Sequence, residues 1–148
     1  MEIIKIEKNK YDFLDLLLIG DEQEEMIAKY IDISDLFVLF ERKTAQALYA
    51  ALPLGDGVCE IKNLAVYEPF RKRGLGRALL SHAASYYGDT CQWLLVGTGE
   101  SPATLLFYEK CGFVFSHRIP NFFTQHYDHP IIEGGVLLRD MIYLKRPI

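Results

Sequence analysis

Short, strongly apolar runs alternate along the chain with helical patterns, and Gly, Pro and acidic residues mark most of the boundaries. Glu2 to Ile6 alternates weakly and predicts a first strand. Tyr11 to Leu18 and Glu22 to Ile31 predict two helices, the second with Asp21 as N-cap and Glu24 at the third helical position. Asp35 to Glu41, centred on Leu36-Phe37-Val38-Leu39-Phe40, reads as a buried strand. Gln46 to Leu52 reads as another, Pro53 to Gly57 as a turn, and Val58 to Tyr67 as the strand that continues the sheet.

Gly74 to Tyr87 predicts a helix with Leu75, Leu79, Ala83 and Tyr86 on one face and Gly88 as its stop. Trp93 to Val96 is the next strand. Ser101 as N-cap, Pro102 at the first position and Gly112 beyond the end frame a helix from Pro102 to Cys111. Phe113 to Ser116 begins a strand and Val136 to Leu144 forms the last. Between them Arg118 to Gly135 is aromatic and contains two prolines, and a loop of that length in one domain usually serves function or acts as a lid. The order β-α-α-β-β-β-α-β-α-β-β predicts a mixed α/β sandwich around one sheet.

Length and composition narrow the classes. With 148 residues, 50% hydrophobic and 24% charged, the chain suits one globular domain spanning 1–148. The N-terminus lacks the layout of a secretory signal, and no apolar run is long enough to span a bilayer, so a cytoplasmic protein without membrane contact is the default expectation. Cys59, Cys91 and Cys111 match neither a disulfide framework nor a zinc pattern and read as reduced, packed thiols. The net charge of −4 conceals an asymmetry: residues 1–60 hold 6 basic and 13 acidic side chains, residues 61–148 hold 10 basic and 7 acidic. An acidic chain with one local basic cluster does not offer the extended footprint that nucleic acid requires.

That cluster is the sharpest chemical signal. A strand ending in Leu64-Ala65-Val66 leads to Arg71-Lys72-Arg73-Gly74-Leu75-Gly76-Arg77 and then a helix. A diphosphate needs converging backbone N–H donors, which a helix N-terminus supplies, and glycines let the backbone come close. The third glycine of a Rossmann turn is absent, Leu79 standing in its place, and so is the Gly-Lys-Ser/Thr of a Walker loop.

Arg71-x-x-Gly74-x-Gly76 after a central strand resembles the acetyl-CoA signature of the GNAT superfamily of N-acetyltransferases. Tyr108-Glu109-Lys110-Cys111-Gly112-Phe113 is similar to its second hallmark, Tyr-x-x-x-Gly-Phe. The resemblance covers about residues 58–115 and implies an α/β (α+β) fold, with a mixed, mostly antiparallel central sheet flanked by helices on both faces. It implies acetyl-CoA as co-substrate, with the pantetheine arm along Leu64, Ala65 and Val66 and the pyrophosphate on the main chain of Arg71 to Gly76, flanked by Arg77. A backbone N–H of that strand would face the thioester oxygen. Many members carry Asn where this chain has Ser101, the position expected to meet the pantetheine arm.

By the same resemblance Tyr108 is the general acid, a phenol that is protonated at neutral pH. Glu60, 11 positions before Arg71, matches the strand glutamate that serves as base in the histone-acetylating branch, directly or through water. His82 is placed on the surface of its helix. His126 and His129 lack a third ligand, so no metal is expected, and with Phe122, Phe123, Tyr127 and Glu133 they would shape the acceptor site. Acidic and aromatic residues in 11–31 and 118–135 suit a small cationic amine. A non-catalytic acyl-CoA-binding domain and a protein-modifying enzyme are the competing readings, and a homodimer is compatible with the sequence.

Overall fold

A computed structural model describes residues 1–148. Strands β1 (Glu2–Ile6), β2 (Asp35–Glu41), β3 (Thr44–Gly55), β4 (Val58–Val66), β5 (Trp93–Gly99), β6 (Val114–Ile119) and β9 (Met141–Pro147) form one sheet in the order β1-β2-β3-β4-β5-β9-β6. Every neighbouring pair is antiparallel except β4 and β5, which are parallel and joined by helix α3 (Leu75–Tyr87). A parallel pair needs such a crossover, so this connection sets the cradle beside the ends of both strands.

The run Leu36 to Leu39 is continuously apolar because β2 is covered on both faces. Phe37 and Leu39 join Tyr49, Ile61 and Val96 beneath α3 and α4 (Pro102–Lys110), where Leu75, Leu79, Ala83 and Tyr108 complete the core. Leu36 and Val38 point the other way, toward Leu16, Leu17 and Ile27 of α1 (Leu14–Gly20) and α2 (Glu24–Ala28). Cys59, Cys91 and Cys111 are free, buried thiols, and Cys59 is pushed up to about 12, chiefly by burial.

Several boundaries differ from the sequence expectation. Lys10–Phe13 is a 3-10 turn leading into α1, and α2 spans only Glu24–Ala28. Asp21 is no N-cap: it closes α1, and Gln23 precedes α2. The hairpin between β3 and β4 turns tightly at Asp56-Gly57, both at positive φ, so Pro53 and Leu54 extend the strand. On α3 the buried face ends on Tyr87, whose hydroxyl donates to Asp35 at 2.6 Å, while Tyr86 is exposed over His82. His82 is half-buried on α3, with its Nδ1 2.7 Å from the Tyr49 hydroxyl. Ser101 precedes α4 in extended geometry and makes no side-chain cap bond.

The expected last strand divides in two. The Leu138 N–H donates to the Ile131 carbonyl, and Asp140 accepts from the Asn121 N–H, so the chain leaves extended geometry between β8 (Val136–Leu137) and β9. The expected loop from 118 to 135 contains the end of β6, helix α5 (Phe122–His126) and β7 (Ile132–Glu133), which pairs with β8.

One side chain ties the layers on the α1 face together. Asn63 of β4 donates to the Leu17 carbonyl at 2.9 Å and to the Tyr30 hydroxyl at 3.1 Å, and it is buried. Its amide lies so near Gly20 that a Cβ there would come within 2.0 Å of Oδ1. Replacing Asn63 by Ala removes both of these bonds, although the Leu17 carbonyl keeps the Asp21 N–H that closes α1, and we expect a loss of about 1–3 kcal/mol in chemical denaturation, with the slope unchanged.

Candidate active site

The ladder between β4 and β5 is short. Val58 to Ile61 pair with Trp93 to Val96, and there the pairing stops. Beyond that point β4 continues to Val66 held only by β3, and β5 continues to Gly99 held only by β9. The β3 register steps from Ala50 opposite Asn63 to Ala51 opposite Ile61, leaving Lys62 as an extra residue, and such a bulge bends its strand. Gly97 and Gly99 let β5 lie close to Met141 and Leu138: a Cβ would come within 2.9 Å of the Met141 Sδ and 2.4 Å of a Leu138 methyl. The strands diverge, and a cleft of about 1090 Å³ opens between them.

At one end of the cleft lies the basic turn. Lys72 and Gly74 have positive φ, 64° and 78°, and Gly74 precedes α3 without a side-chain cap, so the first amides of the helix keep free donors. The two glycines do different work. A Cβ on Gly74 would meet nothing within 4 Å, so that position is set by its φ and by the space it leaves open. A Cβ on Gly76 would sit 2.9 Å from the Phe107 ring, so Gly76 lets α3 and α4 approach. Arg71, Lys72, Leu75, Arg77 and Lys110 line this end, and the Arg71 Nε donates to the Val66 carbonyl at 3.2 Å. Arg73 does not line it; its guanidinium lies 5.7 Å from the Phe70 ring centroid.

Leu64, Ala65 and Val66 form one wall and Tyr108 stands on the opposite one. Tyr108 is 6% exposed, edge-on to Phe107 and Phe113, and its phenol is raised well above its ordinary value, chiefly by burial and then by the charge of Glu133. Glu133 itself lines the cleft and accepts a hydrogen bond from the Thr104 hydroxyl of α4.

The far end is acidic and aromatic. Asp21, Glu22, Phe123 and Tyr127 line it. The Asp21 carboxylate accepts from the Tyr127 hydroxyl at 2.6 Å and the Tyr30 hydroxyl at 3.2 Å, and burial raises it above the usual carboxylate range against those bonds. The Asp128 N–H donates to Gln23 and His129 lies 3.7 Å from Glu22, so the segment after α5 is fastened to the α1–α2 connection. Arg118 anchors that segment's start through Glu100 and Asp140. His126 packs on Phe122, and neither it nor His129 lines the cleft.

Besides Arg73 and the two histidines, Ser101 and Glu60 also stand apart. Ser101 is buried and does not line the cleft. Glu60 is 9% exposed on the face opposite its neighbours Cys59 and Ile61, which belong to the core under α3. It is ion-paired at 3.3 Å with Lys62, which does line the cleft, so Glu60 reaches it only through that partner or a water. The residues that sequence reasoning missed are Asn63, Phe107 and Lys110, and Asp21, expected among the acids of 11–31 at the acceptor site, was singled out only as a helix cap. Asp21 had a signal, an acid beside other acids, but a helix cap produces the same pattern.

A basic end, a buried phenol and an acidic, aromatic end thus share one cleft. Residues 32–115 match the family model of the acetyltransferase (GNAT) domain. An N-acetyltransferase of Bacillus subtilis, itself described as uncharacterised, is 31% identical over 143 residues, covering 93% of this chain and 90% of its own. Among solved structures, an IAA acetyltransferase from Bacillus cereus is 33% identical with a TM-score of 0.89, covering 99% of this chain and 100% of its own. A GNAT acetyltransferase from Elizabethkingia anophelis with acetyl-CoA bound is 31% identical with a TM-score of 0.90, covering 99% and 97%. With matches of this extent to its family model and to its relatives, the chain belongs to the GNAT family of acetyltransferases.

Proposed function

We propose that the protein moves an acetyl group from acetyl-CoA to the primary amine of a small cationic molecule, by direct attack in a ternary complex. The observation that carries this reading is the electrical polarity of the cleft, with Arg71, Lys72, Arg77 and Lys110 at one end and Asp21, Glu22 and Glu133 at the other, where the Lys62 cation is paired with Glu60 and leaves an acidic excess. Phosphates belong at the first end, on the amides that open α3, and an ammonium group belongs at the second, with Phe123 and Tyr127 offering aromatic faces. The Elizabethkingia relative holds acetyl-CoA, which supports the assignment of the donor. The fastening of Tyr127 to Asp21 narrows the acceptor end and favours a small molecule over a polypeptide.

In this reading the pantetheine arm takes the place of a missing strand beside Leu64 to Val66, meeting main-chain groups that β5 leaves unpaired. An N–H of that edge polarises the thioester carbonyl. Glu133, the carboxylate beside Tyr108, receives the ammonium group and takes its proton, and the neutral amine attacks. Tyr108 donates to the departing sulfur, and burial keeps the phenol protonated until the thiolate leaves. Glu60 holds Lys62 in place and acts on the cleft indirectly.

Gly74→Glu puts a side chain and a negative charge into the open space at the cradle, and titration calorimetry should find acetyl-CoA binding abolished; undiminished binding would refute the cradle. Tyr108→Phe should lower kcat by about 10²-fold with acetyl-CoA affinity little changed. Because only the neutral amine reacts, the rate should climb with pH. Glu133→Gln should flatten that climb and raise KM for cationic amines, while Glu60→Gln should preserve it; the reverse pattern would make Glu60 the base. A screen in which anionic acceptors win over cationic amines would overturn the acceptor class and leave the donor standing.

A further inference from the structure

A second, smaller cavity of about 310 Å³ lies behind the basic end of the cleft, lined by Arg77, Ser81, Lys110, Cys111, Gly112 and Arg146. Arg77 and Ser81 are one turn apart on α3, Lys110 ends α4, and Arg146 comes from β9. Arg77 uses one donor on the Lys110 carbonyl at 2.8 Å, and a guanidinium has five. Gly112 has φ 93°, and a Cβ there would lie 3.6 Å from the Arg146 Cδ and Nε, so the arginine runs along a bare turn. Both guanidinium groups act on the Cys111 thiol between them, pulling it down against the burial that raises it.

Three cations therefore converge on one cavity, and none has a carboxylate within 4.0 Å, although elsewhere Lys62 has one such partner and Lys5 and Arg118 have two each. Like charges gathered without a counter-charge repel, and an anion is the partner that relieves them. A Ser hydroxyl and forked guanidinium donors suit a phosphomonoester dianion. Arg77 and Lys110 also line the main cleft, so the cavity continues from the cradle. A ligand with its diphosphate on the start of α3 could extend a further phosphate along the same helix toward Ser81.

We propose that Arg77, Lys110 and Arg146 form a phosphomonoester site that takes the third phosphate of coenzyme A, the one on its ribose 3′ position. This rests on the acetyl-CoA reading above. The site acts as a selectivity device: it favours coenzyme A over pantetheine derivatives and nucleotides without that phosphate, using charge remote from the thioester.

The test is titration calorimetry of the full chain with coenzyme A and with 3′-dephospho-coenzyme A, at fixed low salt. Wild type should bind coenzyme A at least about tenfold more tightly, one charge-assisted contact's worth of discrimination, and added salt should narrow the gap. Arg146→Gln should bring coenzyme A down to near the dephospho form while leaving the latter within about twofold, which also verifies that the variant is folded. Lys110→Met should act in the same direction. Equal wild-type affinities for the two ligands, or an Arg146→Gln loss shared equally by both, would overturn the site. Equal affinities with inorganic phosphate still binding would reassign the cavity to a free anion and likewise overturn it. If neither nucleotide binds, the acetyl-CoA reading falls and the site with it, an outcome distinct from equal binding.

Discussion

The parting of β4 from β5 after four paired residues is the constraint on which the rest of the architecture depends. Two parallel strands in mid-sheet would ordinarily satisfy each other along their length, since unpaired main-chain groups inside a protein are costly. Here the bulge at Lys62 turns one strand aside while Gly97 and Gly99 hold the other down on β9 and the segment before it. The result is a wedge whose two edges carry spare donors and acceptors. Helix α3 begins next to the open mouth, because the crossover joining a parallel pair must start where the first strand ends. Cleft, cradle and the wall bearing Tyr108 thus follow from one interrupted ladder.

The cofactor half of this arrangement was legible in the sequence because its parts are local. Arg71 to Gly76 and Tyr108 to Phe113 are contiguous motifs whose spacing survives without knowledge of what they pack against. The positions of the buried strands were legible for a similar reason, since Leu36 to Phe40 is apolar without interruption and Val58–Val66 ends in Leu64-Ala65-Val66. What the sequence hid is what depends on distant partners. Asp21 carries the composition of a helix cap and becomes a cleft carboxylate only through Tyr30 and Tyr127. The chain from Val136 to Leu144 has a strand's composition and is broken by hydrogen bonds to residues 131 and 121. Glu60 matches a family position by count, and what the sequence hid is its ion pair with Lys62, which lines the cleft where Glu60 does not.

The charge asymmetry between the halves of the sequence also acquires a spatial meaning. The acids of residues 1–60 that matter to the cleft are Asp21 and Glu22, and they meet Glu133 from the far end of the chain. The cations of the other end come from α3, the turn before it and the end of α4, while Lys62 of β4 sits among the acids and is paired with Glu60. In the proposed reading, opposite excess charge at the two ends of one cavity orients donor and acceptor head to tail before any specific bond forms.

The contact between Tyr127 and Asp21 joins residues 106 apart in sequence, whereas the turn and helix that form the cradle are neighbours along the chain. Local contacts form early and cost little loop entropy; a distant side-chain tie closes last and opens first. The two halves of the site therefore sit at different depths of the native free-energy ladder. The cradle is anchored in the large core beneath α3, and the acceptor wall rests on a small cluster of Phe123, Ile131 and Leu138 plus a few hydrogen bonds. Amide hydrogen exchange through local opening would be faster in the acceptor wall than in α3. In the proposed reading, the acceptor end can thus breathe to admit and release its amine while the long co-substrate stays seated, and it can change its selectivity over evolutionary time by substitutions that leave the cradle untouched.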